Sequence, residues 1–289
     1  FLIFKHEQLA GDGGMYDSFL FRCGDRFTAH QHLDVGHFLI FKHEQLAGDG
    51  GMYDSFLFRC GDRFTAHQHL DVGHFLIFKH EQLAGDGGMY DSFMSTHGSN
   101  YYLRSIAHNT ILVHDPAEKY PDGIRAFKPS TANDGGQAYP WCGTGMGHNG
   151  GLMDLDDYHK HKDLSDIADV LAYEDKGAYL YVAGACTRAD AREKLDLFTR
   201  QIVFLRPNTF VIFDRVGAKS PAFKKTWLLQ AMQPPVTKDG RLVVTNGKGR
   251  LFVQTLMPAQ HDVTLHQNGK LYSYGGQTFA PGKKEGVQP

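Results

Sequence analysis

Three letter-for-letter copies of FLIFKHEQLAGDGGMYDSF occupy residues 1–19, 38–56 and 75–93, and LFRCGDRFTAHQHLDVGH fills the intervals 20–37 and 57–74. The copies start at Phe1, Phe38 and Phe75, so the period is 37 residues with no substitution. Repeat architectures use periods in this range. Their units diverge at exposed positions, however, because packing constrains only part of each unit. Perfect identity therefore points to a recent tandem duplication or to an artefact of sequence assembly. Only the third copy runs on into non-repeated sequence, at Met94. We read 57–289 as one authentic domain and 1–56 as surplus copies, which either pair as extra strands or lie outside it. Long apolar strands without a proper place are prone to aggregate.

Most of the chain has the local chemistry of strands. Phe75–Lys79, Thr110–Val113, Ala178–Val182, Gln201–Leu205, Phe210–Phe213 and Trp227–Leu229 are short runs rich in β-branched and aromatic residues, bounded by turn residues. Arg206-Pro207-Asn208 predicts a tight turn between two of them. Asp239-Gly240, Asn246-Gly247 and Asn268-Gly269 punctuate a hairpin-like tail. With 33 glycines and regular strand spacing, the expected fold is all-β, a large antiparallel β-sandwich. Helical pattern is thin. Asp163–Glu174 and Arg188–Phe198 could each hold a turn or two, and the first also suits a strand. Residues 114–161, rich in Gly, Pro and Asp and carrying Trp141, predict a functional loop or a poorly ordered one.

Composition excludes some functions. A formal net charge of −2 over 289 residues gives no basic excess for nucleic acid. No apolar run approaches the ~20 residues of a membrane-spanning helix. The chain opens FLIFKHEQ, with neither an initiator Met nor a signal pattern, and reads as a fragment. Cys23 and Cys60 are copies of one position, so Cys60, Cys142 and Cys186 are the independent cysteines. So sparse and odd a set predicts buried thiols rather than a disulfide framework.

One stretch carries chemistry. His67-Gln-His69 precedes the FLIFK strand, Asp86 sits in Leu-Ala-Gly-Asp-Gly-Gly, and His108-Asn109 precedes Thr110–Val113. On extended chain, residues i and i+2 face one side. Alone, the two histidines read as hydrogen-bonded or exposed rings on a sheet face. Asp86 alone is an ordinary turn residue, and His108 alone a core histidine. Together they form a nitrogen and oxygen donor set of the kind zinc takes. Tyr90 and Arg104 lie nearby as candidates for substrate contact, since Arg holds carboxylates; the plain alternatives are a surface aromatic and a solvated Arg.

Two metal patterns fit poorly. The HxHxD of metallo-β-lactamases continues with His, whereas Val72 follows Asp71 here, and the helices of that fold are missing. The cupin motif requires a Glu where His74 stands. HQHLDVGHFLIFKHEQLAGDGGMYD followed by NYYLRSIAHNTILV resembles the C-terminal domain of heparinase II/III-like polysaccharide lyases. The resemblance continues through LFTRQIVFLRPNTFVIFDRV and KKTWLLQ, covering about Leu57 to Gln230.

That resemblance implies zinc on His69, Asp86 and His108, with the ion mainly structural. It implies that His67 faces the cleft and takes part in catalysis or substrate holding. The ligand would be an acidic polysaccharide or oligosaccharide, alginate-like or glycosaminoglycan-like, cleaved by β-elimination at a uronic acid. The protein would be periplasmic or secreted, with a homodimer as one candidate assembly. The helical toroid that supplies the family's main Tyr and His/Asn catalytic groups has no counterpart in this sequence, so the chain alone is expected to be inactive or nearly so. The alternative is a non-catalytic carbohydrate-binding or structural β-sandwich with a stabilising metal; a zinc hydrolase ranks third. Because His30, His32 and Asp49 repeat His67, His69 and Asp86, the third copy is taken as the site-forming one; it alone runs uninterrupted to His108.

Overall fold

The computed structural model of the protein describes residues 38–42, 55–63, 68–92, 95–118, 133–138, 155–267 and 270–282. His67, the repeat copies at 1–37, Trp141, Cys142 and the Asn268-Gly269 turn lie outside the described residues. A first antiparallel sheet runs in the order β1 (Phe38–Lys42), β2 (Ser55–Arg59), β3 (Phe75–Lys79), β4 (Glu81–Ala84). Strand β5 (Ile111–His114) follows a helical stretch. A second antiparallel sheet takes β6 (Asp169–Asp175), β7 (Tyr179–Ala185), β8 (Leu195–Leu205) and β9 (Thr209–Ala218) in sequence order. β10 (Lys224–Trp227) returns to pair with β5. The tail adds a meander of β11 (Val236–Lys238), β12 (Arg241–Asn246) and β13 (Gly249–Val253), then a two-stranded ribbon of β14 (Ser273–Tyr274) and β15 (Gln277–Thr278).

The architecture is all-β and sandwich-like, as the strand pattern predicts. Phe56 and Phe58 of β2, Phe75 and Ile77 of β3, Leu180 and Val182 of β7, and Phe198, Ile202 and Phe204 of β8 share one buried cluster. The Phe56 ring stacks on Phe210 of β9 at 4.7 Å, and Phe210 stacks on Phe204 at 4.5 Å. The two four-stranded sheets are joined through these rings. Each fully buried phenylalanine here contributes roughly 1.5–3 kcal/mol relative to exposure.

Alternation in the strands explains the layering. β9 reads exposed, intermediate, exposed from Thr209 to Arg215, with Phe210, Ile212 and Val216 packed on the core and Val211 and Phe213 turned outward. That is the period-2 signature of a half-buried strand. The Arg206-Pro207-Asn208 turn joins β8 to β9, with a cis peptide before the proline. At Asp239-Gly240, between paired Lys238 and Arg241, both residues take positive φ, as a two-residue hairpin turn requires.

Three details go beyond the sequence pattern. β2 begins two residues before Leu57, and its Phe56 lies in the core. β1, from the second repeat copy, pairs along the outer edge of β2. The identical FLIFK strands meet β2 in registers one residue apart: Phe38 opposite Arg59, but Phe75 opposite Phe58. The region Asp163–Glu174 is divided: it starts within a single turn α2 (Lys162–Ser165), which follows a short helix α1 (Leu155–Lys160), and then continues as strand β6. Cys60 and Cys186 are free, buried thiols, as expected.

Candidate metal centre

The site is built where three connecting segments meet. The first, 68–74, joins β2 to β3. Arg59 at the end of β2 pairs with Asp71 at 3.0 Å. Backbone bonds from Gly73 N to Arg59 O and from Arg59 N to His74 O, both 2.8 Å, close the turn. Gly73 has φ +84, and a Cβ there would lie 3.1 Å from the Phe198 ring and 3.3 Å from Thr110 Oγ1. Only glycine takes that conformation at no steric cost. The turn thus brings His74 back beside the segment that carries His108.

The second segment follows β4. Gly85 N donates to Gln230 O (3.0 Å) and Gly87 N to Ala107 O (2.7 Å), with Asp86 between them. Gly88, φ +82, passes so close to His97 that a Cβ would sit 2.8 Å from Nε2. The third segment is a π-helical turn at Gly98–Tyr102, a 3-10 turn at Ser105–Ala107, His108 in extended backbone, and a tight turn at Asn109, closed by Thr110 N to His108 O (2.9 Å), leading into β5.

These segments align four side chains. His74 Nε2 lies 2.8 Å from Asp86 Oδ1, and His108 Nδ1 lies 2.9 Å from the same oxygen. His108 Nε2 faces His69 Nδ1 at 3.1 Å. His69, His74 and His108 are buried. Donor atoms of His74, Asp86 and His108 all fall within 4.8 Å of one another. Burial alone would raise the Asp86 carboxyl, but the two histidines outweigh it and hold it well below the ordinary carboxylate range, so Asp86 is ionised. Burial pushes His74 down, against the pull of Asp86, which keeps that ring neutral.

The sequence-predicted residues are therefore distributed unevenly. Asp86 and His108 converge. His69 reaches the far nitrogen of His108, and His74 occupies the near side. Tyr90 is 40% exposed. Arg104 is fully buried and paired with Asp134, so its guanidinium points into the protein and holds an internal carboxylate. His67 lies outside the described residues.

Two contributors are invisible to local pattern. His74 depends on the Gly73 turn. Asn109 is a hub: its side-chain amide donates to Phe75 O (2.7 Å) and Gly85 O (3.0 Å), its Oδ1 accepts from Gln230 N (2.5 Å), and its backbone N–H donates to His74 Nδ1 (2.8 Å).

Beside the cluster the rings continue. His69 meets Tyr102 edge-on at 4.8 Å; His97 stacks on Tyr101 and Tyr102; and Tyr272 abuts both His97 and Tyr101. Burial raises the Tyr101 phenol above its ordinary value of 10.0, with neighbouring Tyr272 adding to the shift, and burial raises Tyr272 as well. A phenol with a raised folded-state pKa contributes stability that is complete below the unfolded value and is lost as pH rises through the folded one. The melting temperature is therefore expected to fall above about pH 10, with tyrosinate absorbance from these two rings appearing together with unfolding. Ionisation of both rings in the folded protein at pH 10 would contradict this.

The donor set suits zinc chemically. Two imidazole nitrogens and one carboxylate oxygen match its ligand types. The 2.8 and 2.9 Å separations of Asp86 Oδ1 from His74 Nε2 and His108 Nδ1 approach the edge of about 3.3 Å expected between ligands on a tetrahedral ion with ~2.0 Å bonds, whereas His69 meets the opposite nitrogen of His108. A scan against models of known protein families finds no match to this chain, and a search of curated proteins finds none either. No helix among the described residues is long and apolar enough to cross a membrane.

Proposed function

We propose that the chain is a zinc-binding β-sandwich and forms part of a lyase acting on uronic-acid polysaccharides. The zinc reading rests on one observation: His74, Asp86 and His108 bring nitrogen and oxygen donor atoms within 4.8 Å of one another, with His69 at the far nitrogen of His108. The lyase reading rests on the sequence resemblance over Leu57 to Gln230. The ion would be structural, supplying a fixed positive centre that ties the three segments together; the groups that touch substrate lie around it. In a β-elimination the uronate carboxylate must be neutralised so that the C5 proton can leave. A base removes that proton, and an acid protonates the O4 leaving group. His67 is the residue of this chain with a role in those transfers. Alone it cannot carry both, so the chain by itself is expected to turn over little or no uronate polymer.

The reading is tested by metal content. Purified chain should hold near-stoichiometric zinc by mass spectrometry. Asp86→Ala and His108→Ala should lose it, and His32→Ala, in the earlier copy of the histidine segment at 20–37, should keep it. A folded chain that takes up no zinc on titration would overturn the metal reading. Robust uronate-lyase turnover by this chain alone would overturn the view that it needs further catalytic groups. A non-catalytic carbohydrate-binding sandwich is the alternative; retention of acidic oligosaccharide by a full-length parent with no lyase activity would favour it.

A further inference from the structure

Resting on the zinc reading, we infer that His74 is a positioning residue of the cluster: it bonds Asp86 through a proton-bearing nitrogen and is not itself a metal ligand.

The argument is one of proton bookkeeping. A neutral imidazole has one N–H donor and one lone-pair acceptor. The backbone N–H of Asn109 points at His74 Nδ1 from 2.8 Å. A backbone amide nitrogen cannot accept, so Nδ1 carries the lone pair and the proton resides on Nε2. That Nε2 lies 2.8 Å from Asp86 Oδ1 and faces the carboxylate as a donor. Offering the Nε2 lone pair to a cation would move the proton to Nδ1. There it would meet the Asn109 N–H head-on, inside a site where His74 and Asn109 are both 0% exposed.

Asn109 cannot step aside to relieve that clash. Its side chain bonds Phe75, Gly85 and Gln230, and its carbonyl accepts from Arg200 Nη1 at 2.7 Å. The His74 tautomer is therefore set by a backbone group that the fold holds on every side. His108 is in a different position. Its Nδ1 faces the Asp86 carboxylate, which accepts a proton-bearing nitrogen, and its Nε2 faces His69 Nδ1, so the lone pair of His108 is presented on Nε2, where no backbone N–H among the described residues competes. The compactness of the His74, Asp86 and His108 group thus overstates the role of His74 as a donor. A carboxylate accepts about four hydrogen bonds, so a bond from His74 leaves Asp86 the capacity to ligate. This is the supporting arrangement in which an outer hydrogen bond orients a ligating carboxylate.

The test uses the whole chain and has two independent arms. In the first, zinc affinity is measured by competition with a chromophoric chelator, with Co2+ spectra as a check on the donor set. In His74→Gln the side-chain amide can still donate to Asp86. Its affinity should stay within about tenfold of the parent, and its Co2+ spectrum should match. His74→Ala, which removes the support, should lose roughly 10–100-fold, whereas His69→Ala and His108→Ala should abolish stoichiometric binding. Loss in His74→Gln as complete as in His108→Ala, with the fold intact by circular dichroism, would overturn the proposal.

The second arm needs no variant. Nitrogen-15 NMR of the imidazoles in the metal-free parent should show the His74 proton on Nε2. Finding it on Nδ1 would overturn the proposal even if His74→Gln failed to fold. A parent chain that takes up no zinc would defeat the zinc reading, while the tautomer would still decide whether His74 anchors Asp86 as described.

Discussion

Replacing Arg200 by alanine is expected to destabilise the domain by about 3–5 kcal/mol, the range for breaking a buried ion pair from one side. Arg200 stands on β8 opposite Asp214 of β9 and is fully buried. Its Nε and Nη2 bind the two Asp214 oxygens at 2.8 and 2.7 Å, a bidentate fork. Its Nη1 donates to the carbonyls of Gly73 and Asn109. Its guanidinium also lies 5.5 Å from the ring centres of both Phe75 and Phe198. Truncation would therefore strand one carboxylate and two carbonyls and open a void between two core rings.

The two carbonyls belong to the turn that delivers His74 and to the hub beside His108, so the loss should spread to the candidate metal centre. Domains are typically stable by about 5–15 kcal/mol, so a loss of this size would leave a chain that is partly unfolded when warmed. Lysine is expected to recover little, because an ammonium cannot reproduce a planar fork with four partners. Urea unfolding followed by circular dichroism is the check. A loss under about 1 kcal/mol, the usual size of a surface ion pair, would show that the fork is not a structural centre.

Arg200 also shows where the sequence is readable and where it is not. The strand at Gln201–Leu205 was recognisable from its apolar run, but β8 begins earlier, at Leu195. Charged and polar residues hide that extension: Thr199 and Arg200 are buried, and Arg200 has its partner on the next strand. Phe75–Lys79 matches β3 residue for residue, because apolar letters bounded by turns suffice when a strand is buried on both faces.

The candidate site divides in the same way. Residue type and spacing picked out Asp86 and His108, which do meet. They gave no hint that a positive-φ glycine at 73 folds His74 onto Asp86. Nor could they show that Arg104 is matched by Asp134, thirty residues on, inside the protein. An unpaired charge in a sequence reads as solvent-facing or substrate-binding; only tertiary contact reveals that it is already satisfied.

Asn109→Asp should be nearly as costly as loss of Arg200, on the order of 3–5 kcal/mol at neutral pH, although it changes no volume. The Asn109 side chain is fully buried and uses both ends. Its NH2 donates to Phe75 O and Gly85 O, and its oxygen accepts from Gln230 N. Substitution turns the two-donor end into an acceptor facing two carbonyls. Two hydrogen bonds become repulsions, and an ionised group is left buried beside Arg200, whose charge is already matched by Asp214.

Because packing is preserved, the effect isolates polar complementarity from cavity formation. The new carboxyl can restore one bond by protonating, so its folded-state pKa should lie above the unfolded value of about 3.9. A group with a raised folded pKa favours the native state most at low pH and loses that contribution as pH rises. The penalty relative to the parent should therefore be smaller at pH 4.5 than at pH 7.5 when both chains are unfolded in urea. Equal penalties at the two pH values would mean that the folded-state pKa is not raised, the carboxyl ionising in the native protein as it does in the unfolded chain. Zinc affinity should fall in parallel, since the same residue fixes the His74 ring; unchanged affinity with large destabilisation would separate the hub from the metal centre.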